Sequence, residues 1–276
     1  MKLFALTWPW QRVKFVRRVA GLVGFLCLAS GVQAQQPFVT DNADVTEKGK
    51  VHLEIANEFD QLQPSSLPVE YQNTIRATLA YGLVKDLEIS VGGQFLTLAS
   101  RARPRFIGGI GDTLVAVKYN FRKERKNSRI PALTVSAFVQ FPTGSSSRSL
   151  GSGITDYGIN GIAQKTFREK NVFRVNGGYL FAGNTVNGVL GFALVKGQVF
   201  TGDASYVRKL GEKLQLGGEI AGAVTNNFQL SKGQFQAQIG GNYQINEKTT
   251  FDFGLIAGHF AASPRSGFQI GFSRDF

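Results

Sequence analysis

The run Gly267-Phe268-Gln269-Ile270-Gly271-Phe272-Ser273-Arg274-Asp275-Phe276 decides how this chain is read. Phe268, Ile270, Phe272 and Phe276 fall on one face, and Gln269, Gly271, Ser273 and Asp275 on the other, which is the period of a strand. One face calls for an apolar medium and the other for a polar one. A strand of this kind that closes on an aromatic ring is the terminal strand expected of an outer-membrane barrel, with Phe276 as the signal read by the barrel-assembly machinery.

Working toward the N-terminus, the same alternation returns along Lys50 to Asp60, Tyr71 to Leu83, Asp86 to Leu98, Gly111 to Phe121, Pro131 to Phe141, Asp156 to Phe167, Val172 to Phe181, Gln198 to Arg208, Lys213 to Ala223, Gly233 to Ile245 and Thr249 to Phe260. With the terminal run this predicts twelve strands, an even number that leaves both ends of the chain on the periplasmic side. Each is about the 9–11 residues a tilted strand needs to cross hydrocarbon. The links alternate as well. Leu83 to Asp86, Arg168 to Asn171, Leu210 to Lys213 and Asn246 to Lys248 are tight and charged, whereas Gln61 to Glu70, Ser100 to Gly109, Pro142 to Thr155 and Ala182 to Gly197 are long. Arg122 to Ile130 breaks the rule as a long basic link on the short-turn side. A soluble two-sheet sandwich also alternates, but it has no use for polar residues opposite the apolar face of every strand. The expected fold is therefore all-β: a twelve-stranded antiparallel transmembrane β-barrel over residues 50–276.

Ahead of it lie two expected segments. Lys2, Arg12, Lys14, Arg17 and Arg18 precede an apolar stretch from Val19 to Ala29 and the small-residue pattern Val32-Gln33-Ala34, which reads as a signal peptide over 1–34 that is cut after Ala34. The apolar stretch is too short for a membrane span. Cys27, the one cysteine, lies within it, so the processed chain has no disulfide and no thiolate metal site. Residues 35–49 are expected as a periplasmic lead-in. Removing five basic residues from 31 leaves 26 against 19 acidic ones, a net charge of +7 in place of +12. That modest surplus, with no long basic run, does not indicate a nucleic-acid partner. Outer-membrane lipid and lipopolysaccharide are the expected surroundings, with Arg101, Arg103 and Arg105 placed to meet phosphates or simply water.

Pro37-Phe38-Val39-Thr40-Asp41-Asn42-Ala43-Asp44 followed by Gly49 resembles the opening of the "MetA-pathway of phenol degradation" family of outer-membrane proteins. Gly109-Ile110-Gly111-Asp112-Thr113-Leu114 leading to Lys118-Tyr119, the segment from Pro131 to Phe141-Pro142-Thr143-Gly144, and Gly151-Ser152-Gly153-Ile154-Thr155-Asp156-Tyr157 resemble it too. The resemblance spans most of the processed chain and implies a barrel that passes aromatic or other apolar compounds, with no agreed site. Arg274 departs from barrel termini that carry an aromatic there; near the interface an arginine can snorkel.

If the apolar faces meet lipid, then Glu54, Glu58, Arg76, Glu88, Asp112, Lys118, Arg174, Asp203, Glu219 and Asp252 point into the lumen. Two readings stand side by side: a lining that selects solutes by charge, or ion pairs such as Glu54 or Glu58 with Arg76 that fill a narrow bore. Twelve strands lie between the eight that side chains fill and the sixteen that leave a channel, so width does not choose between them. Asp41 and Asp44 are read as a solvated lead-in or a calcium site. His52 and His259 lack metal-ligand spacing, and His259 with Ser263 lacks an orienting group, so no enzyme, metal or cofactor is expected. Val189, Leu190, Phe192 and Leu194 make an outward loop apolar, either a greasy mouth for hydrophobic solutes or an extension of strands into lipid. The expected function is passive uptake of a small-molecule solute, since no energy-coupling motif or plug domain is visible. A non-conducting surface barrel or a general small-solute porin are the alternatives.

Overall fold

The computed structural model describes residues 37–276 apart from 67–68, 101–105, 126–127, 183–196, 226–233 and 261. Its strands are β1 (Val51–Gln61), β2 (Tyr71–Val84), β3 (Leu87–Ala99), β4 (Ile107–Ile110), β5 (Thr113–Arg122), β6 (Ala132–Phe141), β7 (Asp156–Phe167), β8 (Asn171–Ala182), β9 (Gly197–Leu210), β10 (Leu214–Thr225), β11 (Gln234–Asn246), β12 (Thr249–His259) and β13 (Ser266–Asp275). Chain neighbours pair antiparallel, and β13 returns to β1 in a register running from His52↔Asp275 to Gln61↔Ser266. Closure pairs both edges of each ring strand, as a hydrocarbon medium requires. Twelve strands form the ring. The short β4 pairs only with the end of β3, from Phe95↔Ile110 to Leu98↔Ile107, and adds no stave of its own.

Burial is inverted relative to a soluble domain. Ile239 is 64 % exposed and Leu255 60 %, while their neighbours Gln238 and Asp252 are 1 % and 0 % exposed. The polar face thus looks inward and the apolar face outward. Left in water, that outer surface would cost roughly 25 cal/mol per Å², so lipid is the medium that suits it. Aromatic pairs cross the outer face between strands, with Phe251 and Phe272 ring centres 5.1 Å apart and Phe59 and Tyr71 5.8 Å apart. The guanidinium of Arg274 lies over the Phe276 ring at 5.3 Å, so the departure from an aromatic is accommodated by its neighbour.

The tight links gather on one rim, the periplasmic one in barrels of this type. Arg168 and Glu169 both take positive φ, 49° and 60°, the two-residue hairpin geometry that follows the twist of the flanking strands. Register shifts at Gly82/Val84, Asn120/Arg122 and Gln244/Asn246 lie on the same rim. The long exceptional link after β5 is tied down there. Glu124 accepts from Lys165 Nζ and from Thr166 N–H at 3.0 and 3.1 Å, while Lys123 pairs with Asp86 at 2.5 Å. Burial raises the Glu124 carboxyl, but the bonds from Lys165 and Thr166 outweigh it and leave its pKa below the usual value.

Candidate functional site: a lumen crossed by the N-terminal segment

The lumen is not empty between its walls. Residues 37–49, expected as a periplasmic lead-in, run inside the barrel. The cause is the supply of inward hydrogen-bonding groups. In a ring of this width side chains from opposite walls do not meet, and an extended backbone offers the N–H and C=O groups that they would otherwise lack.

The bonds can be followed along the segment. Pro37 C=O accepts from Gln238 Nε2 at 2.7 Å, and its ring lies against Gly240 and Gly254, at mid-height on β11 and β12. Glu219 accepts three times, from Val39 N–H at 2.9 Å, Thr40 N–H at 2.8 Å and Thr40 Oγ1 at 2.7 Å. Asp41 receives Lys118 Nζ at 2.8 Å, and its backbone meets the Asn176 amide. Ala43 C=O accepts from Asn120 Nδ2 at 2.6 Å and Thr134 Oγ1 at 2.5 Å. Gln164 bridges Ala43 N–H, Asp44 and Arg174. Thr46 donates its N–H and hydroxyl to Glu88 at 2.7 and 2.8 Å. The segment leaves over Gly82, where an added Cβ would stand 2.1 Å from the Glu47 carbonyl oxygen. Only glycine admits the chain at that point.

Beside the segment a cavity of about 350 Å³ remains, lined from His52 and Glu88 toward the short-turn rim to Gln94 and Gln140 toward the long-loop rim. Of the ten lumen residues singled out from the sequence, Glu54, Glu58, Arg76, Glu88, Asp112, Lys118 and Asp203 line it. Glu219 and Arg174 are spoken for by the segment and by Gln164, and Asp252 is fully buried on β12. Arg76 Nη1 bonds Glu58 at 3.2 Å, the cross-strand pair read as possible from the sequence, whereas Glu54 faces His52 Nε2 at 3.1 Å. His52 Nδ1 reaches Asp275 at 2.5 Å, joining the first strand of the ring to the last.

Asp112 has a role that sequence reasoning did not assign. Its carboxylate accepts from Gly144 N–H at 3.0 Å, Ser152 N–H at 2.7 Å and Gln140 Nε2 at 3.3 Å. It thereby holds the β6–β7 loop across the mouth, where Leu150 packs on Leu96 and Leu98. A Cβ on Gly151 would stand 2.4 Å from Asp112 Oδ1, and one on Gly144 2.4 Å from the Leu150 carbonyl oxygen. The stretches Gly111-Asp112, Pro142-Thr143-Gly144 and Gly151-Ser152-Gly153 thus converge on one carboxylate.

Other expectations fall elsewhere. His259 lies beside the Phe260 ring on the exposed side, and Ser263 accepts from Phe235 N–H. Among the described residues no group of three His, Cys, Asp or Glu could hold a metal. Asp41 and Asp44 are bonded to Lys118 and Gln164. The apolar loop residues Val189, Leu190, Phe192 and Leu194, together with Arg101, Arg103, Arg105 and the segment 1–34, lie outside the described residues.

In fold, this barrel is similar to solved outer-membrane proteins. The COG4313 outer membrane channel from Pseudomonas putida F1 superposes with a TM-score of 0.65 at 12% identity, over 89% of this chain and 100% of that one. The NanC porin gives 0.56 at 11% identity, over 80% and 98%, and the KdgM porin 0.51 at 8%, over 82% and 99%. At these identities the likeness concerns the fold. No curated protein matches the chain in sequence. The sequence profile of the "MetA-pathway of phenol degradation" family matches residues 68–273, and the chain belongs to that family.

Proposed function

We propose that the protein is an outer-membrane channel through which small solutes move passively down their gradient, with the N-terminal segment as its constriction. The observation that carries this reading is the closed ring around a polar lumen in which a cavity of about 350 Å³ persists beside the segment. That cavity reaches from residues near the long-loop rim to residues near the short-turn rim, so a solute would pass along the segment. Phe38, Leu114, Phe138 and Leu180 give the vestibule apolar surface beside its charges, which supports passage of compounds with an aromatic or aliphatic body.

A second reading is a closed, non-conducting barrel, favoured by the bonds that tie the segment to eight of the strands. Planar-bilayer recordings separate the two. The channel reading expects small unitary currents from the full chain and larger ones when residues 37–46 are deleted. Absence of current and of solute flux in the full chain, with current only after the deletion, would establish the closed barrel instead.

A further inference from the structure

Resting on the channel reading, we propose that the vestibule is a subsite for organic ammonium ions, small molecules that carry a cationic amine on an apolar body about the size of one aromatic ring. The cavity's volume of about 350 Å³ falls at the lower end of the ~300–1,000 Å³ typical of small-molecule sites. Its walls differ in chemistry. On β1, β2 and β3 it is edged by Glu54, Glu58 and Glu88 around Arg76; on β6, β8 and β10 by Phe138, Leu180 and Ala221. The strand order sets β1 to β3 half a ring away from β8 to β10, with Phe138 on β6 to one side, and Asp203 on β9 brings a carboxylate among the apolar residues of the far wall. Phe138 lies over Gly158, where an added Cβ would be 2.1 Å from its ring, and Leu180 packs on Val199 and Ala223. The apolar wall is therefore packed rather than incidental.

Carboxylates predominate. Seven line the cavity against Lys118, Arg76 and His52, and these three are engaged, Lys118 with Asp41, Arg76 with Glu58 and His52 with Glu54 and Asp275. Asp203 takes a bond from the Gly222 N–H and has no cationic partner among the described residues; its charged neighbour is Glu219. Beside Glu58, Asp60 is 0 % exposed, on the inward face of β1. Such a field repels anions and favours cations. A bare metal ion would need converging carboxylates, and no such cluster occurs among the described residues. An amine on an apolar body suits the far wall, its charge toward Asp203 and its body against Leu180 and Phe138.

The test is calorimetric titration of the detergent-purified full chain, at mildly alkaline pH, with phenethylammonium, phenylacetate and ethylammonium. Phenethylammonium is expected to bind about tenfold or more tightly than either comparator, since the carboxylate and the apolar residues each supply one tenfold step. Asp203→Asn, which keeps the side chain's shape, is expected to weaken phenethylammonium about tenfold; Phe138→Ala is expected to weaken it while leaving ethylammonium unchanged. Absence of phenethylammonium binding, phenylacetate binding as tightly, or equal affinity in a folded Asp203→Asn barrel would each overturn the proposal. Solute flux without ammonium binding removes this inference and leaves the channel reading; binding without flux does the reverse.

Discussion

Glu219→Ala is the sharpest perturbation of the segment. One carboxylate accepts the N–H of Val39, the N–H of Thr40 and the Thr40 hydroxyl, all within 2.9 Å. Bonds to a charged acceptor contribute about 1.5–3 kcal/mol each, but three that share one group do not add, and we take about 3 kcal/mol for the set. That corresponds to a factor of about 10² in the equilibrium between docked and released segment. Neighbouring bonds at Pro37 and Ala43 stay in place, so release should begin locally, around Val39 to Asp41. The assay is hydrogen exchange read by mass spectrometry in detergent, on peptides covering 37–46. Exchange there should accelerate by about two orders of magnitude in Glu219→Ala and less in Glu219→Gln, which keeps one acceptor oxygen. Strand peptides of β5 to β8 should be unchanged. Exchange in 37–46 that stays within twofold of the parent would refute the claim that this carboxylate holds the segment.

Four further outcomes follow from the geometry. Gly82→Val places a branched side chain where a Cβ alone would meet Glu47 C=O at 2.1 Å, so exchange across 37–49 should rise with the ring intact, read by heat-modifiable gel mobility. Asp112→Asn removes the charged acceptor of Gly144 and Ser152 N–H; limited proteolysis should then cut the 142–155 loop several-fold faster, and unchanged cleavage would count against the anchor. Glu124 has a depressed folded pKa, so its contribution is present above the unfolded carboxylate value of about 4.3 and is lost as pH falls through the lower folded value. Glu124→Gln should accordingly lower the unfolding midpoint near neutrality, and the gap from the parent should close on acidification. Ile239→Arg at mid-height on the lipid face should cost roughly 2–4 kcal/mol in refolding titrations, whereas Gln238→Glu on the adjacent inward position should not show that depth-dependent loss.

Much of the ring could be read from the chain because the signal is local. In Gln234 to Ile245 or Gly267 to Phe276 the two faces differ residue by residue, and alternation alone assigns each side chain to lipid or lumen. The pairing of Glu58 with Arg76 was legible too, since adjacent strands bring them together. The segment was not legible. Thr40, Asn42, Ala43 and Thr46 meet partners 42 to 179 residues away in sequence, and nothing in a short polar stretch announces that a barrel will close around it. Asp41 and Asp44 looked like solvated lead-in because Lys118 and Gln164 cannot be seen from residue 41 or 44. Asp112 was misjudged for a related reason. Its inward position followed from alternation, but its work of holding Gly144 and Ser152 depends on a loop folding back over the mouth. A usable hint was present: glycines flank all three stretches that converge there, and glycine marks close approach of backbone.

The most direct measurement places one reporter on the solute path. Ser136 lines the vestibule on β6, and the described chain contains no cysteine, so Ser136→Cys offers a single inward thiol. A charged thiosulfonate reagent added from the outer side during a bilayer recording should lower the current stepwise as each channel reacts. Complete labelling of that thiol, verified by mass, with no change in current would show that ions do not travel through this lumen.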